Sequence, residues 1–395
     1  MNPQSQQKYA NKTIKTLSVG MAIGGFASMI LGALIPYFRE YYGFGYEVSG
    51  IILSSHSLGG FIATIVIGIL PLYFGRKKSL LFMTSWFIVA FIFLSSGLGN
   101  ALLVILSCFL LGFAKAGSTM FSNTIVSLLP SPYTDIGYNR IHAGYALGAL
   151  SSPLCLIALS YFFPSNGWRI LIYIITITAF FQFNLFMRMT YPAENIQKEK
   201  KKIDFGFVKN LNFWLGSLML FCYISAEYSI TGWLVTYFID SGLLSTSHSQ
   251  LMNSLFWLSV FIGRFIGSHI VNKVKLNTLL LIDGLGLTIC FTCMFFSTHV
   301  ISISLSLMGA GLFMATMFPS IFSFSSSSIP GNDFAYSVLS FISNVGGMIT
   351  PFVIGLIANS FSIEAGMALV VVIIIALLIS IIVSISFSKK VKLSQ

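Results

Sequence analysis

The chain has 395 residues, of which 56% are hydrophobic and only 8% charged, with a formal net charge of +11. A soluble domain carries roughly a quarter charged residues, so this composition leaves too little polar surface to cover a water-soluble globule. Nor does the positive balance point to nucleic acid. The basic residues stand in short segments between long apolar runs: Lys8, Lys12 and Lys15; Arg76, Lys77 and Lys78; Lys198 to Lys202; Lys389, Lys390 and Lys392.

A helix that crosses a membrane needs about 20 mostly apolar residues. Between polar breaks the chain offers twelve such spans, over roughly 16–38, 47–72, 79–98, 101–127, 137–163, 168–190, 210–239, 249–271, 276–297, 299–324, 333–359 and 364–387. Span 1 follows a polar, basic start and is long enough to cross, so it is expected to belong to the fold and not to a cleaved signal. Tyr191 to Lys209 is the longest polar stretch, and it predicts a cytoplasmic linker (191–209) between six-helix halves at 1–190 and 210–395. An even number of spans places both termini on one side. With that side cytoplasmic, eighteen of the 22 Lys and Arg residues face inward and only Arg39 and Arg169 outward, the asymmetry that sets membrane topology. A multi-pass protein of the plasma membrane with cytoplasmic termini is expected, its partners being the lipid bilayer and no nucleic acid.

The halves repeat in sequence. Gly32 to Phe38 in span 1 resembles Gly232 to Phe238 in span 7, an offset of 200. Thr119-Met120-Phe121 recurs as Thr316-Met317-Phe318 at 197, and Gly148 to Pro153 matches Gly346 to Pro351 at 198. Gly68 pairs with Gly267 at 199. On these offsets Lys115 aligns with Leu312, and Glu227 with Ala27. Two parallel six-helix halves put a cavity at their interface and move it by alternating access. The five Cys residues all lie in apolar runs and read as small core-filling side chains, so no disulfide framework or metal site is expected. No phosphate-binding glycine loop or enzyme constellation is present, so neither an enzyme nor a cofactor is predicted.

After span 2 the chain reads Gly68-Ile-Leu-Pro-Leu72-Tyr-Phe-Gly75-Arg76-Lys77, and span 6 opens on Gly167-Trp168-Arg169. The first segment resembles the loop motif of the major facilitator superfamily, with Leu72 where that motif has an acid. Within the superfamily, Glu227 before Gly232-Trp233-Leu234 is similar to the fucose and glucose–proton symporters. So are Leu255-Phe256-Trp257 with Gly263-Arg264, Gly309-Ala-Gly311 with Phe318-Pro319, Gly346-Gly347 with Pro351, and Asn139, His142 and Gly148-Ala149. The resemblance implies an all-α membrane protein with twelve transmembrane helices in two pseudo-symmetric six-helix bundles. It also implies a solute carrier. The acids of fucose-type carriers in spans 1 and 4 are replaced here by Gly32 and Thr119, while Asn123 matches, so the roles of those acids do not carry over.

Ionisable side chains inside a bilayer are costly and normally face a cavity or a partner. Glu227, deep in span 7, reads as a cavity carboxyl that binds ligand or carries a proton, or else as a structural hydrogen-bonding group. Lys115 in span 4 reads as a partner for an anionic group or for Glu227, or as a lysine snorkelling to the surface. His56 either titrates or hydrogen-bonds within the bundle. Tyr228, Trp233, Asn253, Trp257 and Asn344, with Thr119 and Asn123, are candidates to line a polar cavity, against the alternative that the aromatics simply pack. Arg76, Lys77, Asn139, Arg140 and His142 are assigned to gating or structure. Arg264 and Asp283 are expected to form an interhelical salt bridge. Together these residues predict a monomeric, proton-coupled carrier of a small polar solute, sugar-like or an organic anion. The alternatives are an uncoupled facilitator or exporter of a metabolite or drug, and, from another class, a membrane sensor with a transporter fold.

Overall fold

A computed structural model of the chain describes residues 3–96, 100–130, 133–191, 205–270, 273–329 and 332–393. Among them are eleven α-helices: α1 Pro3–Tyr42, α2 Tyr46–Ser95, α3 Ala101–Ser127, α4 Tyr133–Phe162, α5 Gly167–Met187, α6 Leu211–Asp240, α7 Thr246–Ile270, α8 Leu276–Phe296, α9 Val300–Ser327, α10 Asp333–Ser360 and α11 Ile363–Leu393. A bilayer core offers no water to satisfy backbone groups, so a spanning chain must close its hydrogen bonds within each segment, as helices do. Asparagines cap three of them: Asn100 accepts from Leu102 N at 2.9 Å, Asn210 from Asn212 N at 3.0 Å and Asn332 from Ala335 N at 3.0 Å. Exposed faces are apolar, with Ile65, Ile69, Ile177, Val372 and Ile379 all open, as a lipid-facing surface requires.

The eleven helices make twelve membrane-length segments because α2 is two of them, and eleven of the twelve are apolar enough to cross a membrane. The expected loop between spans 2 and 3 is absent: the helix runs on through Arg76 and Lys77, broken only where Gly75 takes φ 72° and ψ 161°. Only glycine holds that backbone readily, so a single residue redirects the chain where a loop was expected. The arms Tyr46–Pro71 and Tyr73–Ser95 are each long and apolar enough to cross a membrane. The 25-residue α7 is long enough but more polar, because it buries Ser249, Gln250, Asn253 and Ser254. Of the predicted linker, residues 192–204 lie outside the described residues, and Gly206–Lys209 forms one 3-10 turn.

The chain divides into two compact units, Met1–Lys198 and Glu199–Gln395. In the first, α2 packs on α3 and α1 on α4, with α5 against α1 and α2; in the second, α6 packs on α10 and α11, α9 on α7 and α8. Glycines mark the tightest crossings. A Cβ on Gly148 would strike the Ala22 carbonyl, and one on Gly346 the Phe221 carbonyl. Likewise Gly112 lies on the His56 carbonyl, and Gly311 on the Phe256 carbonyl. The same two crossings thus recur in both units. They refine the alignment helix by helix: Gly112 and Gly311, like Ala22 and Phe221, are 199 apart, whereas Gly148 and Gly346 are 198 apart and His56 and Phe256 are 200 apart. The twin of Lys115 is therefore Met314, not Leu312, and the twin of Glu227 is Ser28, not Ala27. The short apolar matches had slipped by one or two residues against the contacts on these two helices.

Cys108 and Cys222 are buried as core-fillers should be, but Cys290 and Cys293, spaced Cys-x-x-Cys on α8, are half-buried and exposed free thiols. Core filling therefore does not account for Cys293, which lies on an open helix face.

Candidate substrate and proton site

In the second unit, Glu227 lies half-buried on α6, one turn after Tyr223, which is only 2% exposed. The Tyr223 hydroxyl reaches the Glu227 side chain as well as the Met314 carbonyl of α9, 3.4 Å away. Phe318 packs on the Tyr223 ring, centroids 5.8 Å apart, and Arg264 of α7 is close enough for its charge to act on that hydroxyl. The Thr231 hydroxyl donates back to the Glu227 backbone carbonyl at 2.8 Å, closing the next turn of the helix. Tyr223, Glu227 and Arg264 thus form one polar cluster inside an apolar bundle. Sequence reading named the acid and the arginine but missed the tyrosine; its position four residues before the glutamate, on one helix face, was the available signal.

The expected Arg264–Asp283 salt bridge does not form. Asp283 of α8 is 4% exposed and accepts from the Thr316 hydroxyl of α9 at 2.7 Å. Gly267 explains the geometry: a Cβ there would collide with the Thr316 methyl, so the glycine lets α7 and α9 close around this bond. Arg264, one residue short of a full turn before Gly267, is left to the Tyr223 cluster.

The inward face of α7 carries Gln250, Asn253, Ser254 and Trp257, spaced three and four apart. Asn253 is 1% exposed with both amide atoms enclosed and without a hydrogen-bond partner among the described residues, and the Ser254 hydroxyl and the Trp257 indole N–H are in the same condition. On α6 the Ser225, Ser229 and Thr236 hydroxyls are enclosed in the same way. Each unmet buried group costs about 1–3 kcal/mol, and native interiors rarely tolerate several in one place. Other predicted lining residues have settled partners. The Trp233 indole donates to the Pro351 carbonyl of α10 at 3.1 Å from a fully buried position, so it pins α6 to α10. Asn344 donates to the Ser340 carbonyl of its own helix at 2.9 Å. Tyr228, half-buried, has its ring on Gly347 of α10.

In the first unit, Lys115, Thr119 and Asn123 follow one another at four-residue spacing along α3, all half-buried. The Lys115 ammonium stands 5.8 Å from the centre of the Tyr145 ring on α4, a cation–π distance, and the Asn123 carbonyl oxygen is enclosed without a partner among the described residues. His56 of α2 is 6% exposed at the Gly112 crossing, close enough to Lys115 to feel its charge. Asn139 and Arg140, at the start of α4, are exposed, and His142 is half-buried. Past Gly75, Arg76 is half-buried and Lys77 exposed, its ammonium 5.3 Å from the Tyr191 ring centre. Burial pushes the Tyr191 phenol above the ordinary tyrosine range, with Tyr9 adding to the effect. The basic loop motif, lacking its acid, thus meets an aromatic ring.

A glucose/galactose transporter of Brucella abortus is 27% identical over 153 residues, which take in 38% of this chain and 37% of that protein. The match thus spans little more than a third of the curated relative's length. Among solved structures, that of a D-xylose–proton symporter superposes with a TM-score of 0.78 at 16% identity, covering 95% of this chain and 97% of the other. That of the Escherichia coli fucose–proton symporter gives 0.65 at 18% identity, covering 94% and 98%. Both likenesses speak to the fold alone. The sequence profile of the Major Facilitator Superfamily matches residues 17–334, and the chain belongs to that superfamily of transporters.

Proposed function

We propose that this protein is a proton-coupled carrier of a small polar organic solute, a sugar or a sugar-like molecule, working by alternating access. The observation that carries the proposal is the row of enclosed, unmatched hydrogen-bonding groups on α7, Asn253, Ser254 and Trp257, one helix away from the half-buried carboxylate of Glu227. A solute rich in hydroxyls supplies the donors and acceptors that these groups lack, and an indole beside an amide suits the mixed apolar and polar faces of a sugar ring. The sugar transporters among the similar proteins support the same class. Glu227 is the proton carrier in this scheme: an acid inside an apolar span, beside a buried tyrosine, has a charge that can change during a transport cycle. Lys115 gives an acidic sugar or other organic anion the second place as substrate.

Placement in the plasma membrane with cytoplasmic termini rests on the distribution of basic residues. A single chain is sufficient as the working unit.

The test is uptake into proteoliposomes driven by an imposed pH gradient, with hexoses, pentoses and sugar acids as solutes. Glu227→Gln is expected to abolish accumulation against a gradient while leaving solute exchange in place. Unchanged gradient-driven uptake in that variant would remove Glu227 from coupling, and flux indifferent to the proton gradient in the parent would favour an uncoupled facilitator or exporter.

A further inference from the structure

Tyr223 is deeply buried, yet its hydroxyl has one proton and two acceptors: the Glu227 carboxylate on its own helix and the Met314 carbonyl on α9, 3.4 Å away. We propose that Tyr223 is a positioning residue that converts the protonation of Glu227 into a change in how α6 grips α9. With Glu227 ionised, the hydroxyl donates to the carboxylate, because a hydrogen bond to a charged acceptor is roughly twice as strong as one to a neutral carbonyl. The Met314 carbonyl is then released from α6. When Glu227 takes up a proton from solution, its own O–H donates to the Tyr223 oxygen, and the tyrosine proton swings to the Met314 carbonyl. No covalent bond other than the new Glu227 O–H is made, and the tyrosine stays neutral throughout. A chain of bonds then runs from Glu227 through Tyr223 to the α9 backbone.

Helix α9 is built to respond at this point. Pro319 cannot donate to the carbonyl of Ala315, so the helix lacks one bond of its ladder in the turn after Met314. Phe318 holds the tyrosine ring whichever way the hydroxyl turns. The charged and titratable neighbours of the pair are few. Arg264 faces it from α7 and Tyr228 adjoins it on α6. Glu364 of α11 lies toward the opposite end of α6, beside Tyr237, and α9 has no ionisable residue between Gly309 and Ser320.

This inference rests on the reading of Glu227 as a proton carrier, and its test separates the two. In the full chain in liposomes, pH-difference infrared spectroscopy reads the carboxylic C=O stretch of Glu227, assigned by its loss in Glu227→Gln. Tyr223→Phe keeps the ring against Phe318 and removes the hydroxyl alone; it is expected to move the midpoint of that band upward by about one pH unit. Fluorotyrosine incorporated at Tyr223 keeps the hydroxyl as a better donor and is expected to move the midpoint the other way, which covers the case of a poorly folded phenylalanine variant. Hydrogen–deuterium exchange over 310–320 is expected to slow on acidification in the parent and to lose that pH dependence in Tyr223→Phe. A midpoint and an exchange profile that match the parent in both variants overturn the tyrosine's role, whatever transport shows. A Glu227 band that titrates and responds to Tyr223, beside transport indifferent to protons, keeps the coupling to α9 and overturns only the transport reading. A Glu227 band that never titrates overturns both.

Discussion

The two units share one scaffold and differ in what they hang on it. Gly148 on the Ala22 carbonyl and Gly346 on the Phe221 carbonyl are the same crossing, as are Gly112 on His56 and Gly311 on Phe256. At the twin positions beside these crossings the chemistry diverges: Lys115 against Met314, His56 against Phe256, Ser28 against Glu227. Backbone approach tolerates no side chain at the glycines, so those positions stay alike. A neighbour that points into an enclosed space is free to become a charge. The first unit carries the cationic member of the set, and the second carries the acid with its tyrosine and arginine. Shared positions report packing, and the broken positions mark where the two units differ in chemistry.

The comparison can be broken at its strongest point first. Gly148→Val and Gly346→Val should each drive a side chain into backbone and cost about 3 kcal/mol or more, read as loss of monodisperse protein or a large drop in thermal midpoint. Gly68→Ala is the control. Although Gly68 was paired with Gly267 by sequence, nothing lies within 4 Å of its added methyl, and the change should stay within about 0.5 kcal/mol.

Next comes Asn253→Leu, which removes two enclosed polar atoms that have no partner among the described residues. It should raise stability by about 1 kcal/mol or more while weakening solute affinity about tenfold, the opposite signs marking a residue kept for binding and not for folding. A drop in thermal midpoint together with unchanged uptake would assign Asn253 to packing. The smallest effect is expected from Trp233→Phe. Losing the indole bond to the Pro351 carbonyl should cost about 1 kcal/mol in a denaturation measurement and leave the KM for uptake unchanged.

Much of the fold was legible before any coordinates. Twelve apolar spans, their basic flanks and the repeat near 200 residues are all one-dimensional signals, because a bilayer imposes length and composition on every segment that crosses it. Legibility stopped at Gly75, where one positive φ replaced a loop. In the site, Glu227 could be named because a carboxyl inside an apolar run has no cheap explanation. Tyr223 could not, since a tyrosine in such a run is ordinary until its hydroxyl is seen between two acceptors. Arg264 and Asp283 were both visible as charges and wrongly joined: opposite charge and nearby depth suggested a pair, but Thr316 already held the aspartate.

What the amino-acid order determined alone was the number of spans, the division into halves and the presence of buried charge, since each follows from how much apolar chain a membrane demands. Which polar groups meet, and which stay enclosed without a partner, was decided only by tertiary structure. Helices rotate and slide against one another at their glycines, and a shift of one residue turns a side chain by about a hundred degrees. That is why Met314 and Ser28, not the residues nearest in a sequence match, proved to be the twins of the two charges.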